Sequence, residues 1–502
     1  MNSHFAKPRR FPFPVSRFTS NASRLTLLLP SLAVGFLLAG CAAGPNYHPP
    51  KTEVSPAFAN GGQTNLAAGQ TAIGWWRAFK DARLDHLVDR ALATNQDLRI
   101  ATARVREARA LRTQAVADAL PVVDATGGYT KSVTSKDAAP FPLTRSQREL
   151  QLFNAGFDAT WELDLFGHVR REVEAARADL AATEANRQFV MLSLVAEVAR
   201  NYFELRGTQH ELAVAQRNAD NQRETLDWTL ARFQAGRATE LDTARARAQF
   251  NATLATIPPL QGAIKHSIYR LGVLTGQQPT ALESDLSPPA PMPELPALVN
   301  IGNPADLLRR RPDIRAAERA LAAATARIGV ETSGLFPRVV FNGNLGVSAN
   351  HLAGLGEAGT DAYSFGPQIT WAALDLGHVR ARIQAAHARA EAEVAGYEKT
   401  VLTALEDTEN ALVDFGREQA RRDYLKESVR SATEAMSLAR QRYDSGISDF
   451  LPVLDAERTQ LDVEAQLAQS ETRTATGLVA VYKALGGGWE IERAPAVAGA
   501  ER

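Results

Sequence analysis

The sequence predicts a mixed α+β membrane protein in which one structural unit occurs twice in tandem. Three observations predict it. The segment Trp161-Glu-Leu-Asp-Leu-Phe-Gly-His-Val-Arg170 recurs as Trp371-Ala-Ala-Leu-Asp-Leu-Gly-His-Val-Arg380 at an offset of 210 residues, and Arg232-Phe-Gln-Ala-Gly236 recurs as Arg442-Tyr-Asp-Ser-Gly446 at the same offset. Each copy carries two-residue alternation, the period of a strand with one apolar face, and in the first copy it is long enough to cross a membrane. Each then changes to a three-four apolar spacing that runs too far for a compact globule.

In chain order, the first element is a secretory leader, residues 1–40. Arg9, Arg10, Arg17 and Arg24 precede the one long apolar run, between Leu25 and Gly40. The run ends in Leu38-Ala39-Gly40-Cys41, which resembles a bacterial lipobox, where the thiol is diacylated and the leader is cut just before it. Cys41 is the sole cysteine, so intrachain disulfides, Cys-based zinc sites and CxxC redox pairs are excluded. Its position marks it as the lipidation site, and this covalent lipid is the only added group expected. Ala42 rather than Asp follows it, as in lipoproteins sorted to the outer membrane. Residues 41–74 form the acylated N-terminal segment and 490–502 a tail. The balance of 56 Lys+Arg against 56 Asp+Glu argues against a nucleic-acid partner, and 45% hydrophobic residues exclude a disordered polyampholyte.

The two copies occupy residues 75–276 and 304–489, joined by a linker, 277–303, rich in proline (Pro279, Pro288, Pro289, Pro291, Pro293, Pro296). Each copy opens on an Ala/Arg-rich helix, Asp97–Leu120 and Asp313–Gly334. Pro121 and Pro337 then stop it, since proline lacks an N–H and drives its predecessor out of the α region. A β-hairpin follows at about 122–166 and again at about 338–376. From Phe153 to Leu165 every odd position is apolar, while Asn154, Gly156, Asp158, Thr160, Glu162 and Asp164 fill the even ones. Val339–Ala349 repeats the pattern, as do Phe365, Ile369 and Trp371 against Ser364, Gln368 and Thr370. Thirteen such residues, at ~3.3 Å each and tilted by ~40°, span about 30 Å, the thickness of a bilayer core. Trp161, Trp371 and Tyr129 near strand ends suit an interfacial aromatic girdle. With an export signal, such strands imply an outer-membrane β-barrel with loops at Lys131–Leu150 and Asn350–Asp361.

After each hairpin the apolar positions fall three and four apart, as in Val379, Ile383, Ala386, Ala390, Val394, Tyr397 and Val401. The intervals Gly167–Gly236 and Gly377–Gly446 are equal, and at ~1.5 Å per residue each makes a helix about 100 Å long. Gly236 and Gly446 then end the helix in a left-handed turn, and a shorter helix returns to Leu274 and Leu485. Helices of this length cannot bury themselves alone, and four strands cannot close a barrel, which needs about eight. Both halves demand further copies: two would supply eight strands and three would supply twelve.

The motifs of the mature chain resemble those of the TolC/OprM-type outer-membrane factors, in the NodT-like lipoprotein branch. Carrying the resemblance are Cys41-Ala-Ala-Gly-Pro-Asn-Tyr47 with Pro50, Trp75-Trp76 ahead of Phe79 and Leu84, and Thr256-Ile-Pro258-Pro259-Leu260. Leu307-Leu-Arg309-Arg310-Arg311-Pro312-Asp313-Ile314, Phe336-Pro337 and Tyr482-Lys-Ala-Leu-Gly486-Gly487-Gly488-Trp489 complete it. The resemblance implies a homotrimer, with a twelve-stranded outer-membrane barrel continued by a twelve-helix periplasmic α-barrel. It implies the exit duct of a tripartite efflux pump, partnered by a periplasmic adaptor (a membrane fusion protein) and an inner-membrane transporter of RND type. It also assigns a periplasmic gate to Leu451 and Asp455, one helical turn apart, with Leu241 and Arg245 at the copy-one equivalents. Gly236 and Gly446 become the tips that meet the adaptor.

No catalytic triad context, Walker loop or dinucleotide fingerprint occurs, so no enzyme is expected. Arg309–Arg311 reads as a helix flank, with Pro312 at the first helical position and Asp313 on the dipole, rather than a phosphate site. His168 and His378 read as junction residues, not metal ligands. Two other functions stay in view: a protein-secretion channel of the same architecture, and a helical scaffold lipoprotein without a barrel. The apolar-out strands speak against the scaffold.

Overall fold

The computed structural model describes residues 42–63, 65–67, 69, 72–137 and 141–489. The leader, Cys41 and the 490–502 tail lie outside the described residues. The chain forms two compact units, one of residues 118–171 and 329–379 with the N-terminal 42–44, the other of 45–117, 172–328 and 380–489.

The first unit is a four-stranded antiparallel sheet: β1 (Val122–Val133), β2 (Glu149–Leu163), β3 (Arg338–Ala349) and β4 (Asp361–Thr370), in spatial order β1-β2-β3-β4. The two hairpins meet along β2–β3, where Phe153 faces Ala349 and Leu163 faces Val339. Residues directly opposite in a sheet share a face. The register therefore gathers Val123, Ala125 and Tyr129, then Phe153, Phe157 and Trp161, then Phe341, Leu345 and Val347, then Tyr363, Phe365 and Ile369 on one side. That side is uncovered: Phe365 is 74% exposed and Leu345 63%. The other side carries Asp124, Thr126, Asn154, Asp158, Thr160, Asn342, Asn344, Ser364 and Gln368. These groups bond to one another, with the Asn342 amide donating to Gln368 at 3.1 Å and Arg338 pairing with Glu162.

Two expectations change here. The second strand begins four residues earlier than Phe153 and ends at Leu163. Asp164 leaves the strand because its carboxylate accepts from the Arg170 backbone N–H at 2.9 Å and from that residue's side chain. Tyr129 lies inside β1 rather than at its end. It packs on Phe153, ring centroids 4.6 Å apart, as the last apolar pair before the Lys131–Glu149 ion pair. The apolar band thus stops short of the strands, and Tyr129 marks its border. From Phe153 to Trp161 it measures about 26 Å along the strand.

The second unit is helical. Besides a two-residue parallel strand pair (Leu66–Ala67 with Val299–Asn300) and short helical turns at Trp75–Phe79, Pro279–Leu282 and Glu283–Leu286, its elements are α1 (Ala82–Thr94), α2 (Gln96–Ala117), α3 (His168–Gln234), α4 (Glu240–Leu274), α5 (Pro304–Arg310), α6 (Pro312–Ser333), α7 (Leu376–Asp444) and α8 (Leu451–Ala484). The first residues of α3 and α7 and the last of α6 belong to the sheet unit. At 67 and 69 residues, α3 and α7 are each about 100 Å long. No helix among the described residues is apolar enough to cross a membrane. Pro258 and Pro259 sit inside α4 without ending it.

The main core joins Trp75, Trp76, Phe79 and Leu84 to Tyr202 and Phe203 of α3, Ile268 and Leu271 of α4, Leu412 and Phe415 of α7, and Leu478 and Tyr482 of α8. Trp75 stacks on Tyr482 at 4.9 Å and its indole N–H donates to Gly487 O. The two copies repeat their contacts as well as their letters. Trp161 donates to Ala119 O and Trp371 to Leu335 O. Asn95 donates to Leu274 O, and Arg311 does the same work on Ala484 O.

Candidate functional site

The helical unit carries two hairpin ends, after α3 and after α7, each built around one glycine. Gly236 has φ 69° and Gly446 φ 71°, the left-handed region that glycine enters without a Cβ penalty. Gly236 N donates to Phe233 O and Arg237 N to Arg232 O, at 2.9 and 2.8 Å. Gly446 N to Tyr443 O and Ile447 N to Arg442 O repeat both bonds at 3.0 and 2.9 Å. Two carbonyls that a helix C-terminus leaves open are thereby closed at each end. Past Gly236, Thr239 and Asp242 form a reciprocal cap that starts α4. Past Gly446, α8 begins at Leu451 with Pro452 in its first turn, where a missing N–H costs nothing.

Aromatic rings lock these ends together. Trp228 of α3 meets Tyr443 of α7 edge-on at 5.1 Å, and Tyr443 meets Phe450 at 5.2 Å. The Arg232 guanidinium lies over both Trp228 and Tyr443, at 4.8 and 4.6 Å from their centroids. Leu226, Ala246, Val453 and Leu454 complete the cluster.

Against that cluster, Leu451 and Asp455 point outward together, both exposed and one turn apart. Leu241 and Arg245 are likewise exposed on the first turns of α4. Asp455 accepts from Arg458 of its own helix at 2.8 Å. Its ion pair is therefore made within α8 and not with Arg245.

One feature near these hairpin ends is not legible in the motif pattern. Glu457 is 4% exposed, and Thr225 donates to its Oε1 at 3.4 Å. Burial pushes its carboxyl above the usual range, against the opposing effects of the Thr225 hydroxyl and the Arg440 charge. Gln222, Thr225 and Thr229 of α3 are also buried, where the copy-two equivalents are Ala432, Ala435 and Ala439. Only comparison of the two copies position by position exposes this polar stripe.

The other flagged residues serve the fold. Arg311 is buried, pairs with Asp313 at 2.6 Å and donates to Ala484 O, so it is committed internally. His168 bonds Ser333 at 3.0 Å and His378 bonds Asp375. Among the described residues no three His, Cys, Asp or Glu side chains gather as a metal site.

Substituting valine at Gly236 or Gly446 should strain a left-handed turn by about 1–2 kcal/mol. Added side-chain atoms meet no steric resistance there, since a Cβ at either site has nothing within 4 Å. On the tip assignment that the family resemblance implies, the expected outcome is reduced co-purification with a periplasmic adaptor. Normal co-purification and full solute resistance in both variants would refute the tip assignment.

Known proteins resemble the chain over most of its length. The outer membrane efflux protein family matches residues 87–277 and 303–487. Nodulation protein T of Rhizobium leguminosarum bv. trifolii is 34% identical over 459 residues, 90% of this chain and 96% of its own. The solvent efflux pump outer membrane protein SrpC of Pseudomonas putida is 33% identical, over 93% of this chain and 99% of its own. Among solved structures, the outer-membrane channel OprN superposes with a TM-score of 0.84 at 41% identity, covering 89% of this chain and all of that one. Two tandem matches, near-complete coverage and the uncovered apolar face of the sheet agree: the chain belongs to the outer membrane efflux protein family and resides in the outer membrane.

Proposed function

We propose that three copies of the chain join their sheets, β1 of one to β4 of the next, into a twelve-stranded barrel that forms the outer-membrane end of an efflux duct. One observation carries this reading. The sheet is apolar on one face and polar on the other, and among the described residues neither β1 nor β4 has a partner on its outer edge. Unpaired backbone is not tolerated in lipid, so the sheet must close, and its polar face must then line the lumen. Twelve long helices, four from each copy, form the periplasmic tunnel. The duct is passive: it conducts small molecules, drugs or other toxic solutes, handed over by a periplasmic adaptor and an inner-membrane transporter of RND type. A lipid on Cys41 anchors each protomer.

Reconstitution into a planar lipid bilayer tests this. Purified protein is expected to give discrete conductance steps. Protein that inserts in folded, heat-modifiable form and yet conducts no ions would overturn the reading.

A further inference from the structure

Ala42, Ala43 and Gly44 lie in a built cleft of the sheet unit. Ala43 N donates to Phe166 O at 2.9 Å. Arg171, only 3% exposed, donates from Nε to Ala43 O at 3.0 Å and from its Nη2 to Gly44 O at 3.3 Å. Two glycines make the space. A Cβ on Gly167 would sit 2.6 Å from Ala42 Cα, and one on Gly329 would sit 2.8 Å from Ala43 O. Both obstacles are backbone, so neither can swing aside. Phe166 stacked on Phe336 at 4.7 Å and the His168–Ser333 bond hold the two sides of the cleft together.

The duplication supplies an internal control. At the copy-two junction, Gly377 stands for Gly167 with nothing within 4 Å of its added Cβ, and Ala381 stands for Arg171. In copy one, Thr113 occupies the position equivalent to Gly329. Arg171 and Gly329 are thus departures from the repeat, found only where the N-terminal segment lies, whereas a glycine stands at both 167 and 377. Residues required merely by the repeat would be expected in both copies, and Arg171 and Gly329 are not.

We propose that Gly167, Arg171 and Gly329 form a binding cleft for the first residues of the mature chain, one that recognises residues 42–44 and holds them against the end of the sheet. The cleft selects small residues, because Ala42 lies on a glycine and Ala43 passes another. It reads backbone carbonyls through one buried arginine. Its consequence rests on the lipid reading of Cys41: with residues 42–44 held, a single peptide bond joins the acylated residue to the fixed segment.

The test is amide hydrogen exchange on the full-length mature protein in mild detergent, followed by mass spectrometry of a peptide that begins at Cys41 and reports the Ala43 N–H. Exchange is expected to be slow in the parent and at least about tenfold faster in Gly329→Leu and Arg171→Ala. Ala42→Leu, which alters the bound segment and leaves the cleft intact, should match them. Thr113→Leu should exchange like the parent. Unchanged exchange in Arg171→Ala and Ala42→Leu overturns the proposal, even should Gly329→Leu fail to fold. The lipid reading is judged separately, by palmitate incorporation that Cys41→Ser must abolish.

Discussion

Replacing Gly156 with alanine is expected to remove most of the assembled protein from the outer membrane. Gly156 of β2 faces Gly346 of β3 on the polar side of the sheet, at the seam between the two copies. A Cβ at Gly156 would lie 2.6 Å from Leu345 O and 2.8 Å from Gly346 Cα. The reverse substitution meets Ala155 O at 2.5 Å. Each obstacle is main chain, so relief requires the strands to part. Overpacking of this kind costs about 1–3 kcal/mol, and a parted ladder in lipid loses hydrogen bonds that no water replaces. In a trimer the cost is met three times around one ring. Gly366→Ala in β4 is the control, because its Cβ would have nothing within 4 Å. The measurement is the yield of heat-modifiable protein in outer-membrane fractions. Equal yields from Gly156→Ala and Gly366→Ala would show that the seam is not closely packed.

On the gate assignment that the family resemblance implies, the double variant Leu451→Ala/Asp455→Ala should open the periplasmic mouth. Leu451 supplies an apolar side chain and Asp455 a charge on the same exposed face of α8. Asp455 is paired with Arg458, so removing the carboxylate alone leaves an arginine without that partner and turns the local charge positive. Asp455→Ala is thus expected to weaken block by divalent cations while the pore stays narrow. Removing Leu451 as well should raise single-channel conductance by roughly twofold or more, since a constriction sets the resistance of a pore. It should also sensitise cells to large antibiotics. Unchanged conductance and unchanged divalent block in the double variant would place the constriction elsewhere.

Periodicity made much of this fold readable. Odd-numbered apolar residues in Phe153–Trp161 mark the apolar face because side-chain direction in a strand has a period of two. The glycines at 236 and 446 mark helix ends because few other residues adopt a left-handed turn. Where β2 starts was not readable, since Glu149 and Gln151 break the alternation and are held instead by pairing with Val133 and Lys131. Gly156 looked like any small residue on the polar face; its closeness to Gly346 depends on a register between segments far apart in sequence. The same holds for the polar neighbours of Glu457 and for Arg171, whose partners come from distant parts of the chain. Leu451 and Asp455 were placed by resemblance, and the exposed helix face they share is a property that their spacing alone permits but does not require.

The central claim is that the open sheet closes by joining three copies. Native mass measurement of the protein extracted in mild detergent counts the copies most directly. A dominant species of three chains, lost together with heat modifiability on boiling, is the result the account predicts. A population of monomers or dimers alone, in protein that still conducts in a bilayer, would contradict it.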